Sequence, residues 1–330
     1  MQVIIPLAGK GTRLLPLTKH VPKALVRVAG RPVMDYVMDT VRGTGLDIDE
    51  LIVITGHLKE AVEQYVGTHY PMKARFVEQK VLDGTAGAVD LARPFVRGPV
   101  IIMFVDTLFD ADLSVLGTSD ADAIIWAKEV EDYRAFGVVV TDATGHMVRI
   151  VEKPDTPISK LANIGFYYVR DWQTLFEGIA DVKRRPAGKG GEFYLTDAFQ
   201  YLVDRGRRVR VAEVRHWYDC GKVDTLLETN HHLLEDGRAR MPDARVSTRI
   251  IEPVRIEQGV RLENSTIGPN VTIEAGSAVR GSTIANSILG KKVRVVDATV
   301  RDSVVGDDQV IEGRSIVGSV LAGGELALAR

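Results

Sequence analysis

The spacing of apolar residues changes partway along this chain, and the change divides it in two. Up to about Asn230, short β-branched runs alternate with amphipathic segments. Val3-Ile4-Ile5, Leu51-Ile52-Val53-Ile54 and Val100-Ile101-Ile102-Met103-Phe104 are continuously apolar, the pattern of strands buried on both faces of a parallel sheet. Residues 33–44 and 58–69 read as helices; in the second, Leu58, Ala61, Val62, Tyr65 and Val66 fall on one face. Strand–helix–strand alternation with short connections predicts an open, doubly wound α/β sheet. Residues 135–170 are richer in strands, so a mixed sheet is expected there, with helices over 196–205 and 223–234 closing the domain.

From about Val254 a different rhythm begins. Val254, Val260, Ile267, Ile273 and Val279 recur near a six-residue spacing, with glycines at the turns. Ser265-Thr266-Ile267, Ser282-Thr283-Ile284, Ser287-Ile288-Leu289 and Ser303-Val304-Val305 look like copies of one unit. Hexapeptide periodicity predicts a parallel β-helix, in which each coil buries its face by stacking on the next; a small irregular β-sandwich is the alternative. The expected boundaries are a first domain over 1–235, a polar linker over 236–249 and a repeat domain over 250–330.

Composition adds exclusions. At 330 residues, two domains are expected on length alone. No apolar run is long enough to cross a bilayer, and the opening residues lack the pattern of a secretory signal. One cysteine, Cys220, rules out an internal disulfide framework and fits a reducing cytoplasm. The net charge of −2, with acids and bases interspersed, argues against a general nucleic-acid or membrane binder. A small phosphorylated ligand held by local charge is the expectation.

The strongest chemical signal follows the first strand: Pro6-Leu7-Ala8-Gly9-Lys10-Gly11-Thr12-Arg13-Leu14, then Pro22-Lys23. A strand feeding a glycine loop places ligands at the carboxyl edge of a sheet. Gly9 and Gly11 let backbone amides turn toward a polyphosphate. Arg13 can grip phosphate oxygens through paired hydrogen bonds, and Lys23 supplies a compact second charge. The glycine–lysine–glycine order does not fit the phosphate loop of the common NTPases, and Leu14 stands where a dinucleotide fingerprint needs its third glycine.

This run resembles the signature loop of the sugar-nucleotide pyrophosphorylases, the sugar-1-phosphate nucleotidylyltransferases, and later motifs follow in that family's order. The resemblance implies a doubly wound, mixed/parallel nucleotidyltransferase domain followed by a hexapeptide-repeat left-handed β-helix. It also implies that Leu7, Ala8, Gly9, Gly11, Thr12 and Arg13 bind nucleotide, with Arg13 and Lys23 acting on the triphosphate. Glu78-Gln79 before Gly84-Thr85-Ala86-Gly87 resembles the base-reading segment; the Gln79 carboxamide suits a pyrimidine edge, and Gly84 would let the base lie close to the backbone.

Asp106 follows the Val100–Phe104 strand, where a carboxylate is well placed for Mg²⁺, and Asp219 in Trp217-Tyr218-Asp219-Cys220-Gly221 resembles the family's second metal ligand. Val105 stands where the family usually has glycine, a departure that bears on substrate choice. For the sugar phosphate, Lys153 resembles the lysine that neutralises the acceptor phosphate. Glu152, Asn163 and Glu192 offer hydrogen bonds to the sugar, and Gly137 and Gly165 offer space beside the backbone. Phe166, Tyr167 and Tyr168 read as core, and Cys220 as packing.

The expected reaction joins an NTP and a sugar 1-phosphate into an NDP-sugar, with Mg²⁺ as cofactor. The loop around Pro6 resembles that of the UTP-using glucose-1-phosphate branch, and the resemblance of Gln79 and Gly84 to a pyrimidine-reading pair implies dTTP or UTP as the nucleotide. Glu192-Phe193-Tyr194-Leu195-Thr196-Asp197 keeps N-acetylglucosamine 1-phosphate in view, mannose-1-phosphate guanylyl transfer is a further alternative, and a non-catalytic NDP-sugar-binding paralogue is another. Acetyl transfer on the repeat is disfavoured, since every histidine lies at or before His232. The β-helix is expected to serve homo-oligomeric assembly.

Overall fold

The computed structural model describes residues 1–329. Packing gathers the chain into two compact units, Met1–Gly9 with Val37–Trp217, and Lys10–Tyr36 with Tyr218–Arg330.

The first unit is built on a nine-stranded sheet. Parallel strands Val100–Met103, Gln2–Pro6, Glu50–Thr55 and Lys73–Glu78 lie side by side in that order. Ile4 sits opposite both Ile52 and Ile102 in register. Val3–Ile5, Leu51–Ile54 and Ile101–Met103 are wholly inaccessible to solvent, which is why these stretches read as continuous apolar runs. Beyond Val100–Met103 the sheet turns antiparallel through Leu161–Val169, as the strand-rich composition predicts. The hairpin Gly137–Thr141 and Met147–Glu152 joins one side of that strand, while Ala123–Glu129 and its parallel partner Val209–Glu213 extend the other. Phe166, Tyr167 and Tyr168 are core residues, as expected.

Helices occupy Val33–Arg42, Lys59–His69 and Leu195–Asp204, close to the predicted bounds. The helix Thr85–Asp90 gives way to a 3₁₀ turn, Arg93–Phe95, because Pro94 has no amide to donate back to Asp90. The sequence reading missed the helix Trp172–Val182. Asp171 caps it, accepting the Thr174 amide at 3.1 Å.

In the second unit, residues 249–328 form parallel sheets of five, six and four strands, with one antiparallel strand closing the end. Ile288 lies opposite Thr272 and Val304 opposite Ile288, a step of 16 residues, where the first coil steps 17, Val254 lying opposite Val271. The repeated serines have a physical reason: the buried Ser282 hydroxyl donates to the Arg280 carbonyl in its own coil and accepts the Ala298 amide from the next. Ser287, Ser303 and Ser319 form a second such ladder. The expected linker 236–249 is already partly stacked, since Arg240 bridges Arg255 and Val246 bridges Glu263. Three 3₁₀ turns, Thr12–Leu14, Leu17–Lys19 and Lys23–Leu25, the short hairpin Arg27–Val28 and Arg31–Pro32, and the helix Val223–Leu233 complete this unit. Among the described residues no helix is long and apolar enough to cross a membrane.

Candidate nucleotide and sugar-phosphate sites

The parallel strands of the first unit end on one edge of the sheet, and Leu7, Ala8 and Gly9 leave from it. The Leu7 amide donates to the Ile54 carbonyl at 2.7 Å. Ala8 is pressed against Gly56, where a Cβ would lie 2.8 Å from the alanine methyl. Gly9 faces open space. Gln79 leaves the same edge and is 7% exposed. Its Nε2 donates to Asp83 Oδ1 at 3.0 Å and to the Gly84 carbonyl at 3.3 Å. Two acceptors fix the amide's orientation and leave its oxygen as the group to present. Gly84 has φ +105°, and a Cβ there would lie 2.5 Å from the Phe193 carbonyl oxygen and 3.0 Å from the Glu192 Cβ. The requirement for glycine at 84 therefore comes from the 192–193 backbone as well as from any ligand.

A second cluster in this unit gathers around the hairpin. A Cβ on Gly137 would meet Glu152 Oε2 at 2.8 Å, the Thr196 methyl at 2.9 Å and Asn163 Nδ2 at 3.7 Å. Thr196, which sequence reasoning did not assign, donates its hydroxyl to Glu152 Oε2 at 3.1 Å. Asn163 and Gly165 shape an irregularity in the Leu161–Val169 strand: Asn163 accepts the Gly165 amide at 3.0 Å and donates to the Tyr167 hydroxyl. A Cβ on Gly165 would press on Phe104 at 3.2 Å. Lys153 holds a left-handed backbone at φ +45°, an unusual conformation for a lysine. Its ammonium lies 4.0 Å from Glu152 and 5.2 Å from the centre of the Tyr194 ring. Glu192 is exposed. Asp106 stands in the turn after Val100–Met103, partly exposed beside the buried Val105. Burial pushes the Tyr167 hydroxyl above its ordinary range, against the hydrogen bond from Asn163, and the charges of Glu152 and Asp106 add to the rise.

Burial raises the Glu152 carboxyl above its usual value, against the opposing pull of Lys153 and the Thr196 hydrogen bond. A carboxyl with a raised native pKa keeps its proton longer when folded, so its contribution to stability is lost as pH climbs from the ordinary value of 4.5 through the raised one. Glu152→Gln should therefore raise the melting temperature in neutral buffer more than in mildly acid buffer. Equal shifts at both would show that the charge of Glu152 carries no folding cost.

The second unit holds its own constellation. The Gly11 carbonyl accepts the hydroxyl of the fully buried Thr18 at 2.8 Å, which fixes the turn ahead of Thr12 and Arg13. A Cβ on Gly221 would lie 2.8 Å from Asp219 Oδ1, 3.0 Å from an Arg13 guanidinium nitrogen and 3.2 Å from Lys23 Nζ. Residues far apart in sequence thus converge where only a glycine fits. Asp219 is held from both oxygens: Oδ1 accepts the Gly221 amide at 2.8 Å and Oδ2 the Thr225 hydroxyl at 3.2 Å. Thr225, on the first turn of the following helix, was not read as functional; its signal is that placement alone. Cys220 is buried with its thiol toward Thr229, the packing role expected of it. Arg13 and Lys23 bring two cations to this spot, a pairing suited to a polyanion. Asp219 belongs to this unit and Asp106 to the first. Among the described residues no three His, Cys, Asp or Glu side chains cluster as a ready-made metal site.

The chain matches the nucleotidyl transferase family over residues 2–236. It is 30% identical over 264 residues to the Bifunctional protein GlmU of Methanococcus aeolicus, covering 80% of this chain and 62% of that protein. It is 32% identical over 294 residues to the Glucose-1-phosphate thymidylyltransferase of Streptomyces griseus, covering 86% and 81%. The chain thus spans less than two thirds of the GlmU relative's length, but most of the thymidylyltransferase. The crystal structure of UDP-glucose pyrophosphorylase complexed with UDP-glucose aligns with a TM-score of 0.63 at 25% identity, covering 71% of this chain and 98% of that one. With the glycine loop, its two cations and the later motifs falling inside the matched span, the chain belongs to the nucleotidyl transferase family.

Proposed function

We propose that this chain transfers a nucleotidyl group from an NTP, dTTP or UTP, to a sugar 1-phosphate, glucose 1-phosphate in first place, releasing pyrophosphate. The observation that carries this reading is the convergence of Arg13, Lys23 and Asp219 on Gly221. Such a group can hold a triphosphate through its negative oxygens without supplying a nucleophile of its own. An oxygen of the sugar phosphate attacks the α-phosphorus in line; the bond from that phosphorus to the bridging oxygen breaks, and pyrophosphate leaves with the electron pair. The attacking oxygen is already ionised at neutral pH, so no general base is required. Catalysis rests on positioning and charge neutralisation. Arg13 and Lys23 hold the triphosphate, Lys153 meets the incoming phosphate, and Glu152, Asn163 and Glu192 hydrogen-bond the sugar.

Asp106 and Asp219 offer the hard carboxylate oxygens that Mg²⁺ takes, and the two hydrogen bonds to Asp219 leave it lone pairs for coordination. When bound, the ion would offset charge on the phosphate oxygens. The span of the family match supports residues 1–235 as the catalytic domain, and the exposed flat sides of the stacked coils suit them to homo-oligomeric assembly. The single buried cysteine fits a cytoplasmic setting, and the near-neutral charge fits a protein without nucleic-acid or membrane partners.

Base choice rests on Gln79. With both amide hydrogens committed to Asp83 and Gly84, its oxygen is left to accept the ring N–H of uracil or thymine. Cytosine and adenine carry no hydrogen at the matching nitrogen. An acceptor buried without a donor costs roughly 1–3 kcal/mol, so discrimination of about tenfold to hundredfold is expected. Pyrophosphate release measured over four NTPs and three sugar 1-phosphates tests this. A preference for ATP or CTP would remove Gln79 from the base site, and no release from any pair would favour a non-catalytic binder.

A further inference from the structure

Periodicity alone gives the repeat a role in assembly, but its contacts reach into the nucleotide-holding segment. Lys10–Tyr36, which carries Arg13 and Lys23, packs in one unit with the repeat. Thr272 and Glu274 are two residues apart along one coil and so leave it on the same face. They are 0% and 1% exposed. The Thr272 hydroxyl donates at 2.7 Å to Asn230 Oδ1, which also accepts the Ala29 amide at 3.0 Å. Asn230 is itself fully buried, on the helix that follows Asp219. Glu274 faces the Arg27 guanidinium at 2.9 Å.

Further along the stack, Leu17 and His20 lie against backbone. A Cβ on Gly306 would be 3.3 Å from Leu17 Cδ1, and one on Gly323 only 2.1 Å from His20 Nε2. Lys19 pairs with Glu325 at 2.6 Å. Leu17 and His20 flank Thr18, whose hydroxyl fixes the Gly11 carbonyl.

We infer that the repeat face bearing Thr272 and Glu274 is a positioning surface for nucleotide. It sets where Arg13 and Lys23 stand relative to Asp219. The inference rests on the proposed function, in which those cations hold the triphosphate. Its physical basis is that single 3₁₀ turns and two-residue strands have little cooperativity of their own, so their geometry follows what they pack on. A buried polar network such as Ala29–Asn230–Thr272 favours one arrangement, because any other leaves a buried group without its partner.

The test uses the full chain with Thr272→Val, Glu274→Gln and the double variant Arg27→Met/Glu274→Gln. Hydrogen exchange of amides 11–29 reports the anchorage without substrate. KM for dTTP, set against KM for glucose 1-phosphate, reports its consequence. Each single variant should speed exchange in that segment and raise KM for dTTP, both by about tenfold, the effect of one lost buried hydrogen bond or ion partner. KM for glucose 1-phosphate should stay put. The double variant removes both charges and should recover most of the loss. A lower melting temperature with unchanged exchange and unchanged KM for dTTP would overturn the inference. If wild type turns over no pair of substrates, the proposed function fails, and the exchange measurement alone decides the anchorage.

Discussion

Asp219→Asn should lower turnover by about a hundredfold to a thousandfold while the protein stays folded. Asparagine keeps the shape and can still accept the Gly221 amide, and the Thr225 hydroxyl can reverse to accept from the new amide nitrogen. What disappears is the charge. With it go the hard oxygen that the proposed function offers to Mg²⁺ and a carboxylate that lies close to Arg13 and Lys23 at Gly221. The two losses push in opposite directions on binding and chemistry. Without metal, NTP should bind at least as tightly as to wild type, because the cations are less compensated. With metal, turnover should fall and its dependence on Mg²⁺ concentration should move upward. Asp106→Asn, which removes the other carboxylate that the proposed function assigns to Mg²⁺, should likewise lower turnover. Calorimetric titration of NTP with and without Mg²⁺, beside initial rates, separates these effects. Near-normal turnover with an unshifted Mg²⁺ requirement in Asp219→Asn would remove this residue from the metal site.

The second large effect belongs to Arg13. Arg13→Lys keeps the charge but loses the planar fork that can hold two phosphate oxygens in parallel. Because the contact strengthens as charge spreads over the reacting phosphate, kcat should fall with kcat/KM for NTP, by about a hundredfold. KM for the sugar phosphate should be nearly unmoved. Lys153→Met should give the converse pattern, with the loss concentrated in KM for the sugar phosphate. Lys153 lies 4.0 Å from Glu152, the carboxylate of the cluster around the hairpin. Steady-state kinetics with each substrate varied in turn distinguishes the two. If Arg13→Lys raises only KM for NTP, Arg13 binds the ground state and does not act on the reacting phosphate.

What the sequence determined by itself is what depends on neighbours along the chain. Continuous apolar runs identified Gln2–Pro6, Glu50–Thr55 and Val100–Met103 as buried strands, because burial on both faces leaves no polar alternation. The recurring serines and glycines announced stacked coils, because each coil repeats the same inward contacts. The glycines and cations from Leu7 to Arg13 point to a phosphorylated ligand through local composition alone. The missed helix Trp172–Val182 shows the limit: its cap at Asp171 is local and could have been read, whereas the core that buries its apolar face comes from distant segments.

Only the tertiary structure decided which residues meet. No spacing rule links Arg13, Lys23 and Asp219, since chain entropy leaves such distant segments uncorrelated until packing fixes them. Thr196 and Thr225 have no signature as site residues; each matters through the carboxylate it bonds, Glu152 and Asp219. The reason for glycine at position 84 is visible only once the 192–193 backbone lies against it. Periodicity likewise set the repeat apart from the segment that follows the glycine loop, while Thr272, Glu274, Gly306 and Gly323 tie the two into one unit. Sequence pattern records what each segment buries; which segment it buries against is fixed by long-range packing.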